Sequence, residues 1–133
     1  MNTSSCRHNA SLVSLNTLLT TRLGKIMQKE SHNDNRIHLY ETGEYWVGFD
    51  KSAYTLEQFG RGFSQTTVLR VPGFSLPIVM CSIHHNQIDD IHRKHVMAKS
   101  TLNYLQFITR PIDTPSYDKW YNNYLLESLA LYE

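Results

Sequence analysis

The chain is poor in the residues that commit a sequence to a specialised class. It has two cysteines, Cys6 in a polar stretch and Cys81 inside an apolar run, so neither a disulfide framework nor a cysteine-rich metal site can be built from it. A reducing compartment fits that usage. No apolar run approaches the ~20 residues that span a bilayer, and the stretch from Leu12 to Leu19 is interrupted by Ser14, Asn16 and Thr17, so it does not read as a signal-peptide core. A cytoplasmic location with no membrane partner is the expectation, by absence of an address. Charge of neither sign dominates: 13 Lys+Arg face 12 Asp+Glu, a net charge of +1, whereas dedicated nucleic-acid domains commonly have a pI above about 9. Any nucleic-acid contact must come from a local patch. What remains, at 133 residues with 41% hydrophobic and 19% charged, is one globular domain burying roughly two-thirds of its unfolded surface.

Hydrophobic periodicity organises that domain. Residues 1–10 are polar and read as a flexible lead. Within 11–28, Leu12, Leu15, Leu19, Leu23, Ile26 and Met27 recur near helical spacing behind Ser11 as N-cap, which predicts an amphipathic helix. Residues 29–36 show no apolar face and read as a loop. Ile37 and Leu39, then Tyr45, Val47 and Phe49, alternate around Glu41-Thr42-Gly43-Glu44, the pattern of a hairpin. Ser52 can cap a short helix through Phe59, stopped by Gly60. Residues 66–71 read as a strand ended by Pro72-Gly73. The apolar run 76–83 is either a strand buried on both faces or a buried helical segment, and as a strand it is the central one. Residues 86–98 predict a helix carrying Ile88, Ile91 and His95 on one face, and 102–108 a strand. That strand-helix-strand order suggests a βαβ crossover. Thr114-Pro115 resembles an N-cap with proline at the first helical position, opening a helix over 115–133 whose Tyr117, Trp120, Tyr121, Tyr124, Leu125, Leu129 and Tyr132 occupy about half its circumference. The fold class is therefore α/β: a mixed sheet of about five strands flanked by three or four helices.

Few residues form a chemical constellation. His85, Asp89 and His92 have a permissive spacing for a His/carboxylate metal site, Asp89 and His92 sharing a helix face at i, i+3. No His-Glu-x-x-His or paired cysteines accompany them, so a polar helix face is the simpler reading and no cofactor is expected. Cys81 lies mid-run in a buried strand, where thiols are inert. Gly60-Arg61-Gly62 lacks the rest of a phosphate-cradling loop. Tyr45 and Trp46 follow the Gly43 turn and point to opposite faces, so at most one joins a given core. An exposed aromatic there can stack on or wedge between bases, with Arg93, Lys94 and Lys99 as phosphate contacts. The alternative is an ordinary cross-strand aromatic cluster beside a solvated basic face.

The stretch Leu39-Tyr40-Glu41-Thr42-Gly43-Glu44-Tyr45-Trp46-Val47-Gly48-Phe49-Asp50-Lys51-Ser52-Ala53 resembles the N-terminal mismatch-recognition domain of the DNA mismatch-repair protein MutS. That family has a strand leading into Gly-Asp-Phe-Tyr-Glu-x-Phe and then an acidic residue and Ala opening a helix. Its following Pro-Met-x-Gly-x-Pro-x-His strand is matched by Pro77-Ile78-Val79-Met80-Cys81-Ser82-Ile83-His84, so the resemblance covers residues 11–108. It implies the fold of that domain and a DNA-contacting edge at Tyr45, with Trp46 and Phe49 holding the hairpin. Val47 stands where the family has its base-reading glutamate. The expectation is a non-catalytic domain that binds DNA or a DNA-bound partner. Two other readings stay open: an interaction or self-association module using the aromatic C-terminal helix, and a metal-dependent enzyme at His85, Asp89 and His92.

Overall fold

Apolar residues on both sides of the strands require helices on both sides of the sheet, and the chain supplies them. The computed structural model describes the backbone of residues 3–130 and the side chains of residues 12–130. Two helices, α1 (Thr3–Thr21) and α2 (Leu23–Ser31), stand where one was expected. They are divided at Arg22, whose φ of −123° leaves the helical region, and the division re-aims α2 so that Leu18, Leu23 and Ile26 share one core. The segment expected to be a flexible lead is helical from Thr3 on. α2 also takes in Lys29, Glu30 and Ser31 from the expected loop. Glu30 lies four residues after Ile26 and seven after Leu23, so it is buried with them.

The strands are β1 (Arg36–Glu41), β2 (Tyr45–Phe49), β3 (Gln65–Leu69), β4 (Ile78–His84), β5 (Val96–Ser100) and β6 (Tyr104–Ile108). They form one sheet in the order β3-β4-β2-β1-β6-β5, with every neighbouring pair antiparallel. The chain is thus a single α/β domain as expected, but its sheet is six-stranded and not mixed. The βαβ crossover ends on a different strand from the expected 102–108: the chain leaves β4, passes through a 3₁₀ turn (His85–Gln87) and α4 (Ile88–Lys94), and enters β5 at the far edge, which runs in the direction of β4 with three strands between them and forms a hairpin with β6. Residues 96–98 were expected to be helical. His95 is extended instead (ψ 143°), and the largely exposed β5 lacks the alternation that marks a half-buried strand. A register shift between Met97 and Lys99 interrupts its ladder, a device that blunts an exposed edge.

The turns follow local chemistry. Thr42 N donates to Tyr45 O (2.8 Å) around Gly43 at φ 85°, a conformation that favours glycine. α3 (Lys51–Phe59) stops at Gly60, where a Cβ would stand 2.9 Å from the Leu56 carbonyl oxygen. α5 (Thr114–Ala130) is capped by Asp113, whose carboxylate accepts from the Ser116 amide (3.2 Å) and hydroxyl. The expected Thr114 cap is therefore displaced by one residue. Tyr132 lies outside the described residues.

One face of the sheet carries Tyr40, Val47, Phe49, Ile78, Met80 and Tyr104 under α1 and α2. The other carries Ile37, Leu39, Cys81, Ile83, Leu105 and Phe107 under α3 and α4, with Trp120 of α5 against it. The run 76–83 is a strand and not a helical segment, and β4 is buried along most of both faces, but it lies second from the edge of the sheet and not at its centre.

α5 turns its aromatic side inward. Trp120 Nε1 and Tyr124 Oη donate to the Glu57 carboxylate of α3 (3.0 and 2.6 Å), and Thr66 Oγ1 donates to it as well. Tyr121 Oη donates to the Pro77 carbonyl (2.6 Å), and Tyr117 and Trp120 pack edge-on against Tyr54. Glu57→Ala strands those donors, so a loss of about 1–3 kcal/mol with red-shifted tryptophan emission is expected in urea unfolding. Unchanged midpoint and emission would mean that apolar packing alone holds α5.

Candidate functional site

Tyr45 is the first residue of β2 and projects to the α1/α2 side with Val47 and Phe49. It stands opposite His84 of β4, and the two rings meet edge-on at 5.5 Å. His84 in turn lies against His85 (4.3 Å between centroids), and the His85 amide donates to Glu44 O (2.9 Å). Beside this ladder a groove of about 250 Å³ opens between α1 and the sheet. Leu12 and Leu15 form one wall, Val47 and Met80 the apolar floor, and Thr42, Tyr45, Gln65, Thr67 and Ser82 a polar rim without formal charge.

The other residues expected at a nucleic-acid surface do not gather there. Trp46 points through the opposite face and packs half-buried on the second core. Arg93 is exposed and pairs with Asp90 at 3.3 Å, and Lys94 lies over the Phe59 ring (5.5 Å), both on the α4 side. Lys99 shares Tyr45's face but sits over Tyr104 (5.9 Å) on β5, three strands away, or roughly 14 Å at the usual strand spacing. Strand alternation and the six-strand order separate what proximity in sequence suggested.

Two of the three residues weighed for metal binding have other occupations. His85 Nδ1 faces Glu44 O at 3.2 Å, and His92 lies against Phe107 (6.0 Å). Asp89, His92 and Arg93 border a shallow depression of about 330 Å³. Among the described residues, no three His, Cys, Asp or Glu side chains converge to hold an ion. Cys81 is fully buried and its thiol pKa is pushed up by burial.

No family model, curated protein or solved structure matches the chain. Likewise, among the described residues no helix is long and apolar enough to cross a membrane.

The polar chemistry that sequence reasoning missed is buried between the layers. Glu30 Oε1 accepts from the Ser52 amide (3.0 Å) and Asn33 Nδ2 (3.1 Å), and its Oε2 from Ser52 Oγ (2.6 Å). Ser52 Oγ accepts from the His38 amide (2.9 Å). Ser52 therefore does not cap α3 with its own side chain. Glu30 satisfies that helix end from α2. Burial raises the Glu30 pKa to about 7 against these hydrogen bonds, with the Asp50 charge adding to the rise. Asp50 is raised to about 6, again mainly by burial.

His38 is the opposite case, lowered to about 4 by burial and then by Lys29 and Arg36. Its Nδ1 lies 2.6 Å from Tyr104 Oη, which accepts from Gln106 Nε2 (2.8 Å). The tyrosine proton is thus directed to Nδ1 of a neutral imidazole. Glu30 could have been found by extending the heptad-like spacing of Leu23 and Ile26. Asp50 carries no comparable signal.

Two expectations follow. A carboxyl raised in the fold takes up its proton while the unfolded chain is still ionised, so Glu30 favours folding increasingly as pH falls from about 8 toward 5. His38 works against this below its ordinary range, because the unfolded chain binds that proton first. Comparison of wild type with Glu30→Gln isolates the carboxyl: the difference should move toward the wild type by up to about 3 kcal/mol over that interval, measured by urea unfolding at three pH values. A flat difference contradicts the assignment. Separately, Tyr40 Oη is buried without a hydrogen-bond partner. Tyr40→Phe removes an uncompensated polar group and should leave stability unchanged or raise it by about 1–2 kcal/mol in the same assay.

Proposed function

We propose that the chain is a non-catalytic nucleic-acid-binding module and that the groove beside Tyr45 seats one unpaired base. The observation that carries this reading is the composition of the groove: an apolar floor of Val47 and Met80 beneath a rim of neutral donors and acceptors, Thr42, Gln65, Thr67 and Ser82, with the half-exposed Tyr45 ring at its side. A heterocycle with two apolar faces and a polar edge needs that combination. The volume of about 250 Å³ suits one base. The resemblance to a mismatch-recognition domain supports the same residue, since Tyr45 falls at the stacking position of that family's motif.

The charge distribution narrows the ligand. Arg93 and Lys94 lie on the far side of the sheet and Lys99 three strands away, so these three cations neutralise no phosphate at the groove. Affinity should be modest with a shallow salt slope. A matched duplex presents no free base to the groove, so single strands and extruded mismatched bases are the preferred ligands. Val47, at the position of the family's glutamate, is buried in the floor. Edge recognition would fall to Gln65 and Ser82.

An interaction through α5 has less support, because Tyr117, Trp120, Tyr121 and Tyr124 are engaged with α3 and Pro77, while Leu129 stays exposed. Fluorescence anisotropy with labelled single-stranded, mismatched and matched DNA tests the proposal. Binding should decrease in that order, and Tyr45→Ala should weaken single-strand binding at least fivefold, given roughly 1–3 kcal/mol per stacked base. Equal affinity of Tyr45→Ala and wild type for single strands would refute the groove assignment.

A further inference from the structure

A second cavity lies at the other end of β4, independent of the groove beside Tyr45. About 250 Å³ in volume and open to solvent, it is lined by Met27 of α2, Asp50 at the β2–α3 junction, Phe74, Ser75, Leu76 and Pro77 of the β3–β4 loop, and Tyr121 of α5. Among the described residues Asp50 is its only charged lining group. It is clamped to β4, its amide donating to Val79 O (2.8 Å) and its Oδ1 accepting from Val79 N (3.1 Å). That clamp holds a non-glycine residue at φ 48°, ψ −109°, a costly backbone conformation.

The Asp50 carboxylate has no cationic side-chain partner among the described residues. It makes no side-chain cap bond to α3, because Glu30 takes the Ser52 amide. Its single acceptor bond from Val79 N is one that an asparagine oxygen would make equally well. No hydrogen bond or ion pair reaches its second oxygen among the described residues. Besides burial, its charge raises the pKa of Glu30, Tyr117 and Tyr121, none of them cationic. Asp50 is only partly buried, and among the described residues Tyr40 Oη is the buried side-chain polar atom without a partner, so the second Asp50 oxygen stays open to a cation entering the cavity.

The walls identify its chemistry. Phe74 and Tyr121 offer aromatic surface to a cation, and Met27, Leu76 and Pro77 suit an aliphatic stem. A metal ion would need several further oxygen or nitrogen ligands, whereas beside Asp50 the polar side chains of the lining are the hydroxyls of Ser75 and Tyr121, and Tyr121 Oη donates to the Pro77 carbonyl (2.6 Å). A guanidinium binds best when both carboxylate oxygens are free, and one is taken by Val79 N. A single point donor fits the one that remains. The volume equals that of about eight waters, enough for a group the size of a lysine side chain.

We propose that this cavity binds a protonated primary alkylamine, its ammonium donating to the free oxygen of Asp50 and its stem lying along Phe74, Tyr121 and Met27. The amine is either a free small molecule or the lysine side chain of a peptide. Because burial raises Asp50 only to about 6, the carboxylate is ionised and an ordinary alkylamine protonated between about pH 7 and 9. Binding should be strongest in that window and weaken toward pH 5.

The test is titration of the full chain with n-butylammonium, the uncharged isostere n-butanol, and Nα-acetyl-lysine methylamide, followed by amide chemical shifts. At pH 7.5 both amines should saturate and move the amides of Asp50 and Val79, with butanol at least tenfold weaker. Tighter binding of the lysine derivative than of butylammonium assigns the site to a peptide, and the reverse order to a free amine. Asp50→Asn keeps the Val79 hydrogen bond and should melt no lower than wild type while losing at least tenfold in amine affinity. Should that variant fail to fold, the butanol comparison and the loss of affinity at pH 5 decide with wild type alone. Equal binding of butanol and butylammonium, affinity unchanged from pH 7.5 to pH 5, or undiminished binding by folded Asp50→Asn would overturn the proposal.

Discussion

The buried carboxylate of Glu30 is the point on which the layers depend. β1 and β2 pair closely only next to their turn, at Tyr40 with Val47 and Glu41 with Trp46. Further along, the His38 amide leaves the ladder and donates to Ser52 Oγ, so the sheet parts and the start of α3 enters the gap. Glu30 reaches that start from α2 and binds both the amide and the hydroxyl of Ser52. One side chain thereby joins the helix layer on one face to the first helix on the other, and Asn33 ties the same carboxylate to the entry into β1. The arrangement carries a desolvation cost, visible in the raised Glu30 pKa. Low dielectric also makes each of those hydrogen bonds expensive to lose, which gives the junction one stable geometry.

That junction places the two surface cavities at opposite ends of β4. At one end the strand runs out beside the hairpin turn, and alternation brings Tyr45, Val47, Met80 and Ser82 to a common face under α1. At the other, the same strand begins at Ile78, where Val79 grips Asp50 and the β3–β4 loop folds over toward α5. The first cavity is lined by neutral polar groups and the second by one carboxylate with aromatic walls. Their chemistries are therefore complementary to different ligands, and their separation along β4 lets each be altered without touching the other.

Much of the local structure was legible because it is set by neighbours in the chain. The Gly43 turn, the stop at Gly60, the doubly buried run of β4 and the amphipathic α5 all follow from spacing and turn chemistry, and each is present near its expected place. The misreadings have a common cause. β5 is an edge strand that owes its existence to pairing with β6, and its own sequence shows little alternation. The polar end of α2 resembles a loop because Lys29, Glu30 and Ser31 show no apolar face, whereas Glu30's partners Ser52 and Asn33 lie inside. The crossover was inferred from element order, which is the same whether β5 returns beside β4 or travels to the far edge.

By itself, then, the sequence determined that the chain is one α/β domain, that Tyr45 and Trp46 face opposite ways, and that α5 has one aromatic side. These are consequences of backbone periodicity, which each segment expresses alone. Only the tertiary structure decided that the sheet is wholly antiparallel, that the aromatic side of α5 is spent on Glu57 and Pro77, and that Arg93, Lys94 and Lys99 lie apart from Tyr45. It alone brought Asp50 against Phe74 and Tyr121. Such contacts join segments distant in sequence, and their partners are chosen by burial and hydrogen-bond satisfaction across the whole fold.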